Sequence, residues 1–524
     1  MLPPVDLMAL MGPILLLVVG ALATLVAEPF LSKEDKHTFL PWIGVAFLAL
    51  AGVVLHQVRP GEFGGMFALD PWRGALFGAL LLVSAVGLSA LQRNLRNDDF
   101  AGGEPYVLLL LATVGIGLML MATHFIALFM GMEIASLAIY PMVGFRRDQA
   151  VSNEAVLKYF SMGAVFSAVF LMGTAMIYGA TGGLGFATVM LGSRVGIYLL
   201  GYALVTVGLL FKLGVVPFHF WSPDAYGGAP SGVVSFMAGA VKIGAVAVLA
   251  NLWSSHFFGF ALHYTGQSLP GIHYPPPPMG ISYPLLGVGA FPEKAMILRA
   301  WQFVFVFGGV ASVVVGSLAL LGQTSVRRMM AYSGVANAGF LALALGLFVK
   351  HADARFALYY VVVYALGTSG VVAALAALSG RGDIHDDLAS LVGTGRRRPL
   401  VGLALTVLVA SVAGLPFTAG FVAKFQLLAA LFTDGRIGVE ALSLILPASL
   451  ASQATTLFPA LPVFVLLCAL ISVAGYFRLV VAIWTEPATG AKEVEKVPVL
   501  LSIVLVLCML AIFALAIQPR AIGF

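Results

Sequence analysis

The sequence predicts an all-α integral membrane protein of about 14 transmembrane helices, with two inverted five-helix repeats that each contain a broken helix. Three observations lead there: the composition, the length of the apolar runs and the prolines that interrupt two of them. Of the 524 residues, 60% are hydrophobic and only 10% are charged, whereas a soluble domain has about 25% charged residues. So few charges cannot cover a water-facing surface, and this composition excludes disordered, nucleic-acid-binding and disulfide-rich chains.

Apolar runs of about 20 residues, enough to cross a bilayer, recur along the whole chain. They predict spans over 8–27, 38–56, 74–92, 105–122, 124–144, 155–178, 196–219, 230–252, 301–321, 329–349, 355–378, 400–431, 460–485 and 498–518. The first run lacks a basic leading flank and an Ala-x-Ala site, so we interpret it as a helix and not as a signal peptide. The runs are continuously apolar, which argues against the alternating strands of a membrane β-barrel.

The spans divide the chain into five parts. These are a three-helix segment at 1–104, a first five-helix repeat at 105–252, a proline-rich insert at 253–300, a second five-helix repeat at 301–485 and a C-terminal helix at 486–524. Because each repeat has an odd number of helices, the two lie inverted in the membrane. The insert contains four consecutive prolines from Pro275 to Pro278, so it is predicted to lie outside the membrane as a surface elaboration or a subunit contact.

The distribution of basic residues over the loops predicts the orientation. Alternate loops form two sets, and the set with Arg146-Arg147 and Arg396-Arg397-Arg398 is richer in Lys and Arg. The positive-inside rule places that set in the cytoplasm. An even number of spans then puts both termini on the outer side.

A few ionisable residues lie inside the predicted spans, where each unpaired charge costs about 2.5–3.5 kcal/mol. They are Glu133, Lys158, Lys212, Lys242, Lys424 and Arg478. Lys158 is near a helix end, where its amine can extend to the interface, but Glu133 and Lys242 lie near the middle of their spans. Because lysine can discharge in apolar surroundings while arginine stays charged, we interpret Glu133 and the four lysines as a proton path. An ion pair between Glu133 and Lys158 is a hypothesis that keeps both charged.

Two of the spans are broken beside a buried lysine. Pro217 follows Lys212 in one, and Pro416 precedes Lys424 in the other. Proline removes a helical hydrogen bond, which membrane proteins tolerate where the freed backbone faces protein or water. Breaks at corresponding positions of two repeats indicate an ion path.

Weaker candidates lie in the connections between spans. His219, after the first break, is equally compatible with a proton relay and with a satisfied histidine at a helix end. His385 with Asp383, Asp386 and Asp387 superficially resembles a metal site, but a solvated loop is favoured. A phosphate-binding loop, a dinucleotide fingerprint and a cysteine cluster are all missing from the sequence, so we predict no cofactor and no metal in this chain.

At these positions the sequence resembles the antiporter-like subunits of respiratory complex I. The motifs are KLGVVPFHFWSPDAYGGAP from Lys212, LFMGMEIASLAIY around Glu133, NEAVLKYFSMGA around Lys158, QTSVRRMMAYSGVANAGF from Gln323 and GLPFTAGFVAKF around Lys424. The resemblance implies a proton channel built from two half-channels. In it Glu133 and Lys212 form the gating pair of the first half-channel, Lys158 and Lys242 continue a central relay, and Lys424 opens the second.

The resemblance also implies the setting of the chain: a multi-pass subunit of a proton-pumping NADH:quinone oxidoreductase in the bacterial inner membrane. NADH, FMN, iron–sulfur clusters and quinone would be bound elsewhere in the complex. The implied partners are sister antiporter-like subunits, small membrane subunits, lipid and protons, with no nucleic acid. Two positions depart from the family, since Gly227 stands where Glu is common and Asn337 where His is common.

Other functions are compatible with the same features. The nearest are a subunit of a multi-subunit sodium/proton antiporter and a subunit of a membrane-bound hydrogenase. A stand-alone secondary solute transporter would use unwound backbone and aromatic side chains at its substrate site. A purely structural membrane spacer would need none of the buried charges.

Overall fold

The computed structural model describes residues 6–100, 102–186, 194–253, 292–351, 355–378, 380, 383, 386–433, 460–486 and 497–519. The proline run at 275–278 and His385 lie outside the described residues. A helix begins at Pro292, within the segment predicted as the insert.

The described residues form seventeen helices and one antiparallel hairpin. The helices are α1 Leu7–Ala27, α2 Lys33–Gln57, α3 Pro71–Asn97, α4 Glu104–Met121, α5 Phe125–Val143, α6 Ala150–Thr181, α7 Val195–Leu213, α8 Trp221–Gly228, α9 Ser231–Trp253, α10 Pro292–Leu321, α11 Val326–His351, α12 Arg355–Leu378, α13 Thr394–Arg397, α14 Pro399–Ala413, α15 Ala419–Thr433, α16 Leu461–Trp484 and α17 Val499–Ile517. Strands β1 Gly61–Phe63 and β2 Phe67–Leu69 pair between α2 and α3.

Within these ranges, thirteen helices are long and apolar enough to cross a membrane. The predicted span over 400–431 is occupied by the two shorter apolar helices α14 and α15. The prediction of an all-α membrane protein is therefore confirmed. The short helices α8 and α13 lie outside the predicted spans.

A side chain caps the start of each of the first three helices, with the Ser32 hydroxyl accepting from the Asp35 N–H at the start of α2. The carboxylate of Asp6 accepts a hydrogen bond from the Met8 N–H, 3.3 Å away, at the start of α1. Asp70 does the same for the N–H of Arg73 at the start of α3, at 2.9 Å. Each cap satisfies one of the donors that a helix leaves open at its N-terminus.

The centre of the bundle is made by α9, α11 and α12. The most apolar stretches of α9 and α12 are completely buried, and that of α11 is 94% buried, whereas only 28% of the α2 stretch is buried. These three helices are therefore surrounded by other helices of the bundle, whereas α2 lies at its periphery. Lys242 on α9 and Asn337 on α11 are therefore surrounded by protein, away from lipid.

Small residues let the first two helices of each predicted repeat pack closely. A Cβ atom on Gly115 of α4 would lie 2.4 Å from the backbone nitrogen of Ala135 on α5. A Cβ atom on Gly316 of α10 would lie 2.3 Å from the nitrogen of Ala336 on α11. Such small-residue contacts are typical of helix pairs in membranes, where close approach provides the packing energy. The inverted arrangement of the two repeats itself stays a prediction.

Candidate functional site

Each predicted break is a place where one helix ends and a second begins. The helix α7 ends at Leu213 before α8, and α14 ends at Ala413 before α15. The next residues, Gly214 with φ +78° and Gly414 with φ +85°, adopt the left-handed conformation, which glycine reaches without steric cost. Glycine thus terminates both helices, and Pro217 and Pro416 lie in the connections that follow.

Hydrogen bonds at the two helix ends follow the same pattern. The N–H groups of Gly214 and Val215 both donate to the Leu210 carbonyl, at 2.9 and 3.2 Å. Those of Gly414 and Leu415 both donate to the carbonyl of Ala410, at 3.0 and 2.9 Å. This shared C-terminal motif satisfies carbonyls that would otherwise be open in an apolar environment.

The first break is covered by α10, which is assigned to the second predicted repeat. The N–H of Val216 donates to Ser312 Oγ on α10, at 2.8 Å. A Cβ atom on Gly308, one turn earlier on α10, would lie 3.2 Å from the Val215 side chain. The irregular backbone of the first break therefore packs against a small residue of α10 and donates a hydrogen bond to a hydroxyl of the same helix.

Lys212 lies just before this break and is buried, with 5% of its surface exposed. Its Nζ donates to Ser136 Oγ on α5, at 2.7 Å. Glu133 lies three residues before Ser136, on the same face of α5, and its Oε1 accepts a hydrogen bond of 2.5 Å from Ser167 Oγ on α6. The ammonium of Lys212 thus lies at the face of α5 that carries Glu133 and Ser136. It binds Ser136, and the described residues include no direct ion pair between Lys212 and Glu133.

The hypothesis of an ion pair between Glu133 and Lys158 is wrong. Lys158 Nζ lies 2.6 Å from Glu154 and 2.9 Å from Asp224 on α8. The Lys158 side chain is 40% exposed. The reason is its position two turns into α6, where carboxylates at the end of the bundle are nearer than the middle of α5.

Lys242 lies on α9 in the interior of the bundle. Its Nζ donates to the Gly334 carbonyl on α11, at 2.6 Å, and lies 5.0 Å from the centre of the Tyr364 ring on α12. A carbonyl and an aromatic face both stabilise an ammonium without neutralising it.

Lys424 on α15 contacts the helix end at the second break. Its Nζ donates to the carbonyls of Val412 and Ala413, at 2.9 and 3.1 Å, and lies 5.0 Å from the centre of the Phe340 ring. A cation at a helix C-terminus is favoured by the free carbonyls and by the helix dipole. Over the residues that the structure describes, neither Lys242 nor Lys424 forms an ion pair.

A cluster of neutral polar side chains from α11, α12 and α16 lies between Lys242 and Lys424. Sequence reasoning missed most of this cluster. Tyr360 Oη donates to Asn337 Oδ1, at 2.7 Å, and Asn337 Nδ2 donates to the Ser333 carbonyl, at 2.8 Å. Ser333 also hydrogen-bonds with Tyr476 of α16. The lysines contact α11 at Gly334 and Phe340, about 9 Å apart along the helix axis. The sequence feature that could have indicated this cluster is the presence of tyrosine within continuously apolar spans.

The prediction of a solvated loop around Asp383 is wrong. The Asp383 side chain is 1% exposed and lies 2.9 Å from Arg146 and 3.4 Å from Arg327. Asn94 and the Ser231 backbone N–H also donate to it. Burial alone would raise the pKa of Asp383, but the guanidinium groups of Arg327 and Arg146 hold it below its ordinary value. This segment is buried because the Asp383 carboxylate binds groups on α3, α9, α11 and the connection between α5 and α6.

His219 lies between the first break and α8 and is 9% exposed. Its Nδ1 atom has no hydrogen-bond partner among the residues that are described. Its role as a relay stays a prediction.

These features define a class of protein. Two helices broken inside an apolar bundle, with buried lysines that lack anionic partners in the described ranges, are typical of an ion-translocating membrane protein.

The chain belongs to the family described as NADH:quinone oxidoreductase/Mrp antiporter, whose profile matches residues 122–265 and 287–446. Glu133 and the four lysines all lie within the matched segments. The resemblance to antiporter-like subunits is therefore confirmed.

Similar proteins cover most of the chain. The NADH-quinone oxidoreductase subunit N of Parvibaculum lavamentivorans is 33% identical over 81% of each chain. That of Maricaulis maris is 30% identical over 94% of this chain and 90% of its own. A chain of respiratory complex I from Thermus thermophilus is 28% identical, with a TM-score of 0.71, over 97% of this chain and 98% of that one. The Mrp complex of Dietzia, at 17% identity and a TM-score of 0.73, shows the fold alone.

Proposed function

We propose that this chain is a proton-translocating membrane subunit of respiratory complex I, of the kind called subunit N in its relatives. It couples quinone reduction elsewhere in the complex to proton movement. The observation that carries the proposal is the placement of Lys212, Lys242 and Lys424. Each is nearly fully buried and each rests on neutral oxygens.

The contacts of these lysines suit proton transfer. A serine hydroxyl holds Lys212, and backbone carbonyls hold Lys242 and Lys424. Because none has a fixed counter-ion among the described residues, a change of charge at one lysine acts on the next with little screening. Glu133 supplies the negative charge near Lys212, and its bond to Ser167 fixes it between α5 and α6.

The partners are other subunits of the complex, and the structure offers a place for one of them. At the second break Leu415 and Phe417 are 39% and 90% exposed. Lipid cannot satisfy irregular backbone at membrane depth, and the first break is closed by Ser312 and Gly308 of α10. By analogy, a small-residue and hydroxyl-bearing helix of a sister antiporter-like subunit covers the second break. NADH, FMN, iron–sulfur clusters and quinone belong to other subunits.

Arg146 and Asp383, in connections between helices, and Arg327, at the start of α11, come together at one end of the bundle. The positive-inside rule assigns this end to the cytoplasm. Both termini then face the periplasm of a bacterial inner membrane.

Glu133→Gln tests the proposal in the assembled complex reconstituted into vesicles. The change keeps the size of the side chain and its bond to Ser167 but removes the charge near Lys212. We expect a several-fold loss of proton uptake and a slower coupled quinone reduction, with the complex still assembled.

The matched control is Glu34→Gln, because Glu34 is exposed at the start of α2. It should leave both rates unchanged. Proton uptake at the wild-type rate in Glu133→Gln would contradict the role given to Glu133.

A further inference from the structure

Asp224 lies on α8, directly behind the first break, and binds cations from two other helices. Its Oδ2 atom lies 2.9 Å from Lys158 Nζ on α6. Its Oδ1 atom accepts a hydrogen bond of 3.1 Å from Arg328 Nη2 on α11. Since α6 and α8 belong to the first predicted repeat and α11 to the second, one carboxylate links the break to both repeats.

The two cations differ in what else they bind. Lys158 has a second carboxylate, Glu154, on its own helix at 2.6 Å. Arg328, in the described ranges, forms an ion pair only with Asp224. Asp224 is therefore one of two carboxylates at Lys158 but, among the described residues, the only one at Arg328. Between α6 and α8 the ion pair of Lys158 with Asp224 adds to the stacking of aromatic side chains from the two helices. The pair with Arg328 links α8 to α11.

Gly227 explains why Asp224 acts alone on this helix. It follows Asp224 by three residues, and a Cβ atom there would lie 3.5 Å from Arg328 Cγ. A carboxylate at position 227 would thus reach along the Arg328 side chain. With glycine in that place, Asp224 has no competitor from α8 for Arg328.

We propose that Asp224 is a positioning residue for proton transfer: by binding Lys158 of α6 and Arg328 of α11 with its two oxygens, it sets the position of α8, and hence of the first break, between these helices. Arg328 anchors the same carboxylate to α11, the helix that contacts Lys242 and Lys424. The inference rests on the proposed function, because it takes the first break as part of the proton path.

The test is Asp224→Asn in the complete complex in vesicles, with protons moved per quinone reduced as the readout. Asparagine keeps the size and a hydrogen-bond acceptor but removes the charge. We expect a several-fold loss of this ratio with normal assembly, and recovery of most of it in Asp224→Glu. Glu486→Gln, which breaks an exposed ion pair with Arg396, is the matched control and should pump normally.

A double variant separates the contact of α8 with Lys158 from its contact with Arg328. Asp224→Asn combined with Gly227→Glu returns a carboxylate to Arg328 but leaves Lys158 with Glu154 alone. The new side chain has room, since its Cβ atom would lie at an ordinary contact distance of 3.5 Å from Arg328 Cγ. The ratio should stay low. Full recovery in the double variant, or a normal ratio in Asp224→Asn alone, would overturn the inference.

Lys212→Ala measured in parallel distinguishes the possible failures. Normal pumping in that variant would count against the proposed function itself. Impaired pumping there, together with a normal ratio in Asp224→Asn, would leave the proposed function in place and remove only the role given to Asp224.

Discussion

Lys212→Ala is expected to reduce proton uptake by the reconstituted complex at least about tenfold. This is a lower limit, because one positioned proton-transfer group typically contributes about 10²–10⁴-fold to a rate. Lys212 is 5% exposed, and its ammonium donates to Ser136 on the face of α5 that carries Glu133. Alanine removes the cation that α7 presents to that face, so the first half-channel loses its proton carrier. The measurement is vesicle acidification during quinone reduction.

Two further variants define what the loss means. Lys212→Arg keeps a positive charge that does not discharge, so the complex should assemble and still fail to pump. Lys33→Ala removes an exposed lysine that pairs with Asp99 and should change nothing. Wild-type uptake in Lys212→Ala would favour a structural spacer.

The second large effect is expected at Asp383. Asp383→Asn leaves Arg146 and Arg327 facing each other across a buried neutral amide. Breaking a buried ion pair costs about 3–5 kcal/mol, and we expect about 3 kcal/mol, because each arginine keeps a second carboxylate in Asp98 or Asp386. The measurement is the melting temperature of the complex, or its yield where assembly fails. Asp387→Asn, at an exposed neighbour, is the matched control and should match wild type.

The stabilisation from Asp383 should also depend on pH. Burial opposes its ionisation, but Arg327 and Arg146 outweigh burial and lower its pKa. A carboxyl group with a lowered pKa stabilises the folded protein fully above its unfolded value, about 3.9, and loses this contribution as the pH falls through the folded value. The difference in melting temperature between wild type and Asp383→Asn should therefore shrink below about pH 4. A constant difference down to low pH would show that charge is not the cause.

Sequence reasoning found the spans and the breaks for physical reasons. The length of an apolar run is set by the thickness of the bilayer, so the predicted spans coincide with helices. Glycine followed by proline marks the end of a helix, so α7 and α14 end close to where the sequence indicates. Lys212, Lys242 and Lys424 are conspicuous in the sequence because a charge in an apolar span is costly. The structure shows that all three are buried, and their role in proton transfer stays a prediction.

What the sequence missed depends on contacts between distant segments. Lys158 binds Asp224, which is 66 positions away, and position along one helix does not reveal which carboxylate is near. Asp383 is in a polar segment that looks solvated, yet its partners come from four other parts of the chain. Tyr360 and Tyr476 are neutral, so they do not stand out in an apolar span as a charged residue does.

The contacts of Lys242 and Lys424 also limit what can accept a proton from them. Their oxygen partners are backbone carbonyls, which accept hydrogen bonds but do not take up a proton near neutral pH. A carbonyl can hold the charged lysine in place, but it cannot accept the proton of the ammonium group. In the proposed proton path, each discharge therefore requires a mobile acceptor such as water beside the amine.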